Sequence, residues 1–139
     1  MSRTPPSAGQ NCPQTASSLS DKLQLEVLEC TPERTVVAMP VAGNTQPMGA
    51  LHGGASAALC ETAASLAACA HGEPNGLVGV GTNLSITHLR PVFSGRVVAE
   101  AVATLLGRTV TAHSVQVHDD AGRLVAIAQV SNQLIAKPV

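Results

Sequence analysis

Residues 53–70 read GGASAALCETAASLAACA, a helix-forming run in which Glu61 is the single charged group. A helix that is apolar nearly all round is buried on most of its faces, so the rest of the chain has to wrap it. Gly72-Glu73-Pro74-Asn75-Gly76 marks its end. Four β-rich runs follow, at about Leu77 to Leu89, Arg96 to Leu106, Thr109 to His118 and Leu124 to Ile135, and the last three are joined by short Gly-containing turns. Such spacing predicts antiparallel neighbours. Upstream, Lys22 to Cys30 places Leu23, Leu25 and Val27 on one side, and after the Thr31-Pro32-Glu33 turn Arg34 to Val41 is a second strand, making a hairpin. The order β-β-α-β-β-β-β predicts an α+β domain, a long curved antiparallel sheet around one helix.

The chain has 139 residues, enough for one domain with a real core. Residues 1–18 are rich in Ser, Pro, Thr, Gln and Asn with little to bury and read as a disordered tail, leaving 19–139 as the domain. Apolar residues are 45% and charged residues 12% of the composition, which excludes a disordered chain. With a net charge of -1 and Phe93 as the lone aromatic, there is neither a basic tract nor a stacking platform for nucleic acid. No long apolar run is present to span a membrane and none follows the N-terminus as a leader would, so a cytoplasmic protein is expected. The four cysteines lack metal-ligand spacing and read as small reduced hydrophobes; no metal site is expected.

The segment Gln46-Pro47-Met48-Gly49-Ala50-Leu51-His52-Gly53-Gly54-Ala55, running into the helix with Glu61 and Ser65, closely resembles the signature of hotdog-fold acyl-CoA thioesterases. It resembles in particular the branch with the 4-hydroxybenzoyl-CoA, 1,4-dihydroxy-2-naphthoyl-CoA and phenylacetate-pathway enzymes, and the likeness covers most of residues 34 to 135. The resemblance implies that Glu61 is nucleophile or general base and that the Gly53 N–H binds the thioester oxygen. It implies further that Gln46 and His52 line the same site, and that Ser65 orients the carboxylate or a water. Physical chemistry agrees: a helix N-terminus offers unpaired N–H groups and the positive end of the dipole to developing negative charge. A carboxylate on an apolar helix is costly without a task or a partner. Each residue also has a plainer reading, as a helix cap for His52, a tight turn for Gly53-Gly54 and a local backbone bond for Gln46 or Ser65.

A second cluster, Thr87-His88-Leu89-Arg90-Pro91, puts His88 and Arg90 on one strand face. The resemblance implies that this pair, and Arg108 with Thr109, meet the CoA moiety. Ser85-Ile86-Thr87 replaces the Asn-x-Asn often found in the aryl-CoA relatives. Small helix residues (Ala57, Ala58, Ala64, Leu66, Ala68) and Met48 are expected to line the acyl pocket, leaving room for an aryl or medium-chain acyl group. Gly53 and Glu61 are separated by roughly 12 Å of helix rise, too far to serve one thioester, so two antiparallel helices of a homodimer should share each site. The resemblance implies the same shared sites, with dimers paired into tetramers. The expected substrate and partner is an acyl-CoA, and no cofactor is required. A hotdog dehydratase or hydratase and a non-catalytic acyl-CoA-binding sensor are the competing readings. The former's usual Phe-Pro-Gly or Asp/His pattern is missing at the start of the helix, and residues 1–18 cannot form the latter's DNA-binding module.

Overall fold

The computed structural model describes residues 17–138. A short helix α1 (Ser18–Leu23) is capped by Ser17, whose Oγ accepts from the Ser20 N–H at 3.1 Å. It stops where Gln24 takes a left-handed conformation, with φ of 58°. Ser17 and Ser18, assigned to the tail from composition, therefore belong to the folded part; residues 1–16 of that tail lie outside the described residues. Strand β1 (Glu26–Cys30) consequently begins later than the alternation from Lys22 predicts, although Leu23, Leu25 and Val27 all pack against the core as expected.

After β1 come β2 (Arg34–Pro40), the long helix α2 (Gly53–Gly72), β3 (Leu77–His88), β4 (Arg96–Leu106), β5 (Val110–Asp119) and β6 (Leu124–Ala136). All pairings are antiparallel, in the order β1-β2-β4-β5-β6-β3, which leaves β1 and β3 at the sheet edges. This is the hotdog fold. Its core lies between α2, through Leu59, Cys60, Ala63 and Ala67, and the inward side chains Val37, Met39, Val97, Val115, Val117 and Val130. Small helix residues let the sheet close on α2. Among the described residues no helix is long and apolar enough to cross a membrane.

The edge strand β3 is fitted to the helix by two absent side chains. A Cβ on Gly79 would stand 2.5 Å from the Ala68 Cβ, and one on Gly81 would overlap the Glu61 Oε1. Directly after Gly81 the β3–β6 register slips, so that Thr82 and Asn83 together oppose Ser131. The bulge leaves Gly79 and Gly81 facing inward before it and Leu84 and Ile86 packed on the core after it.

Candidate active site

The start of α2 is built by the loop before it. His52 is the N-cap, its Nδ1 accepting from the Gly54 N–H at 2.8 Å while its carbonyl accepts from Ala55 and Ser56. An accepting Nδ1 leaves the proton on Nε2 and fixes the tautomer. The Gly53 N–H, at the first helical position, is then a donor of the kind every helix start exposes. Gln46 is tied into its loop by three bonds: its N–H donates to Ala50 O at 2.8 Å, its carbonyl accepts from Gly49 at 2.9 Å, and its Oε1 accepts from the Met48 N–H. The amide oxygen is thus committed to the loop, which leaves the Nε2 donors for other partners.

Gln46, Gly53 and Ser56 line a cleft of about 370 Å³ together with His88, Arg90 and the apolar Ala50, Leu51, Leu89, Val92 and Val125. The His88 ring lies close over Gly53, where a Cβ would come within 2.9 Å of Nε2. Four residues singled out in the sequence, Gln46, Gly53, His88 and Arg90, therefore meet at one place. His52 faces the other flank of the helix start, in an apolar hollow with Leu19, Leu23, Gly54 and Ala58.

Glu61 and Ser65 lie further along α2, on a partly exposed stripe with Gly54, Ala58 and Cys69 that runs along the edge strand β3. The Glu61 carboxylate sits against Gly81, and Ser65 Oγ donates to Asn132 Oδ1 of β6 at 3.0 Å. Arg108 and Thr109 are exposed in the β4–β5 turn, where Gly107 O meets His71 Nε2 at 2.8 Å and Thr109 O accepts from Leu134. By the β5–β6–β3 register that turn adjoins the start of β3, roughly 30 Å from His88 at its end. Within one chain the two proposed CoA-contact clusters stand at opposite ends of the sheet.

Two expectations about small residues change. Ala64, Leu66 and Ala68 are buried against the sheet and do not line the cleft, because a helix wrapped by a sheet turns most of its length inward. Met48 is 83% exposed in its loop. The apolar wall of the cleft comes instead from Ala50, Leu51, Val92 and Val125. Cys60, next to Glu61 in sequence, is fully buried, and burial pushes its thiol up to about 12, which makes it chemically inert. Among the described residues no group of His, Cys, Asp or Glu is placed to hold a metal ion.

A six-stranded antiparallel sheet wrapped on one long helix is the frame that this chain shares with solved thioesterases. The chain belongs to the thioesterase superfamily, whose family model matches residues 48–126, and it is a thioester hydrolase. The proofreading thioesterase EntH of Klebsiella pneumoniae is 49% identical over 86 residues, 61% of this chain and 62% of that one. The solved structure of a thioesterase from Pseudomonas aeruginosa, with a glutamine replaced by alanine, matches with a TM-score of 0.84 at 31% identity over 96% of both chains. A thioesterase from Staphylococcus aureus matches with a TM-score of 0.82 at 26% identity, covering 88% of this chain and 100% of that one. It has been solved with a glutamine and, separately, with a glutamate replaced by alanine.

Proposed function

We propose that the chain hydrolyses acyl-CoA thioesters to free acid and CoA in sites that each take residues from two protomers. One observation carries this reading: Gly53 opens onto the cleft with Gln46 and His88, whereas Glu61 lies two turns away against Gly81. An oxyanion donor has to lie about 3 Å from the thioester oxygen and the attacking group near contact with the same carbonyl carbon. Roughly 12 Å of helix rise separates the two, so one chain cannot supply both. A twofold axis between antiparallel α2 helices brings Gly53 of one chain beside Glu61 of the other, twice. Gly54 and Ala58, small and partly exposed, let a second helix approach closely, and the edge strand β3 runs along the same helix.

In this site the Gly53 N–H and the helix dipole stabilise the oxyanion while Glu61 of the second chain drives attack on the carbonyl. Gln46 Nε2 is the added donor toward the acyl oxygen. In the Staphylococcus relative the replaced glutamine and glutamate are fifteen residues apart, the spacing of Gln46 and Glu61 here, which supports pairing these two in one chemistry. Arg90 stands between the cleft and a second hollow with Phe93 and Arg123, and is the contact for the phosphates of CoA. The reading calls for no metal or redox cofactor, since each step is a proton or acyl transfer. A cleft of about 370 Å³ with an apolar wall favours an aryl or medium-chain acyl group over acetyl, because each buried methylene adds about 0.8 kcal/mol.

Two inactive variants test the shared site. Glu61→Gln should lower thiol release at least 100-fold, the usual worth of a positioned base. Gly53→Pro deletes the N–H donor and suits the backbone, because proline is favoured at the first helical position and His52 is already extended with ψ of 130°. Mixed at equal amounts, the two should recover about a quarter of wild-type activity through random pairing. Demonstrated heterodimers without recovery would put the site within one chain.

A further inference from the structure

Outside the cleft, the buried face of the sheet carries a polar row beside α2. Thr111 on β5, Asn132 on β6 and Gly81 on β3 are direct neighbours across three strands, and this row faces the turn of α2 that carries Glu61 and Ser65. Asn132 and Thr111 are completely buried, as is His113, two residues from Thr111 on the same face. Gly81 gives room to the Glu61 carboxylate; Asn132 takes the hydroxyl of Ser65.

The orientation of the Asn132 amide follows from its neighbours. His113 Nε2 meets the carbonyl of Pro32 at 2.9 Å, so it carries the ring proton, and Nδ1 is left as a bare acceptor. Asn132 Nδ2, His113 Nδ1 and Thr111 Oγ1 are the three buried side-chain atoms without a protein partner among the described residues. They offer one donor group, one acceptor and one hydroxyl that can act as either, a complementary set that an enclosed water can join. The NH2 edge of Asn132 belongs on that side, and its oxygen belongs on Ser65. A buried asparagine with this arrangement is costly unless it does something an apolar residue would not.

We infer that Asn132 is a positioning residue that makes Ser65 a hydrogen-bond acceptor toward the site and so commits Glu61 to act as a general base on water. This inference rests on the reading of Glu61 as the catalytic carboxylate. A serine hydroxyl has one proton; given to Asn132 Oδ1, it leaves only lone pairs on the face shared with Glu61, one turn away. Such a pair cannot bond each other, since both accept. A water between them donates one proton to Ser65 and the other to Glu61, and its own lone pair is directed away from both. In the reaction that lone pair forms the bond to the thioester carbon as Glu61 takes the proton. Collapse of the tetrahedral intermediate breaks the C–S bond, and Glu61 returns the proton to the departing thiolate, giving the acid and CoA-SH.

Asn132→Leu keeps the branched outline of the side chain, with more bulk, and removes the acceptor. We expect kcat to fall at least tenfold with KM within about threefold, and the folded state to survive, since Ser65 is only partly buried and its freed hydroxyl can turn to water. Ser65→Ala should lower kcat comparably, and the double variant should be no slower than either single one, because Asn132 acts through Ser65. Multiplying losses would overturn the inference, as would an Asn132→Leu enzyme at the wild-type rate while Glu61→Gln is inactive. An active Glu61→Gln enzyme would instead remove the underlying reading. Should Asn132→Leu not fold, wild-type enzyme in excess over acyl-CoA in ¹⁸O-water, with a parallel rapid acid quench read by mass spectrometry, decides the mechanism: label appears in the released acid, none appears in Glu61, and no acylated chain is found in the quench. Label in the Glu61 side chain, or a chain acylated at Glu61 in the quench, would show a covalent anhydride and overturn the general-base assignment.

Discussion

At the scale of single residues, most of the proposed site was legible in one string. Gln46, Gly53, Glu61 and Ser65 are separated by short, fixed stretches of loop and helix, so their relation could be read locally. Asn132 and Gly81 were not read, because their roles depend on which strands lie side by side. A signal for Asn132 did exist: β6 alternates inward Val130, Asn132 and Leu134, and an amide in an apolar register stands out. His113 is wholly buried and held to Pro32 O. Its pKa is lowered chiefly by burial, with His71 adding to the effect and the Pro32 bond opposing it. The unfolded chain therefore takes up this proton first as pH falls, and stability should decline below about pH 6.5, at no more than about 1.4 kcal/mol per pH unit. Melting temperatures between pH 7.5 and 5.5 should show the slope, and His113→Gln should flatten it; an unchanged slope would assign the decline to other groups. Asp119, whose carboxyl is held low first by the Arg123 N–H, contributes in the same direction only at more acid pH.

At the scale of elements, β3 decides how the carboxylate is presented. The number, order and approximate limits of the strands followed from alternation and turn residues, and α2 extends two residues beyond the expected end. What periodicity could not show was that β3 returns beside β6 at the sheet edge. That placement puts the Arg108 turn at the far end of the sheet from His88. Nor could it show the bulge at Thr82, since an extra residue in a strand is visible only once its partner is known. Gly81→Ala tests the fit of β3 to the site. The added methyl overlaps Glu61 Oε1, a side-chain end that can swing away, so the fold should hold while kcat drops at least tenfold, about 1.4 kcal/mol of transition-state stabilisation. Gly79→Ala meets Ala68 within the core instead and should cost about 1–3 kcal/mol of stability. Chemical denaturation beside steady-state kinetics would separate them, and equal losses of stability would refute the distinction.

At the scale of the whole molecule, a helix bearing its donor and its carboxylate eight residues apart has a consequence in genetics. In a mixed population, a chain lacking only Glu61 still lends its Gly53 to a healthy partner, so equal co-expression with wild type should leave about half the activity, as simple dosage would. A chain carrying both Glu61→Gln and Gly53→Pro spoils both sites of every dimer it enters. Equal co-expression should then leave about a quarter, from wild-type pairs alone. Activity in lysates of matched expression would distinguish the two cases, and a double lesion no worse than the single one would contradict shared sites. In the proposed dimer, the eight-residue separation on α2 thus sets whether a defective allele is recessive or dominant.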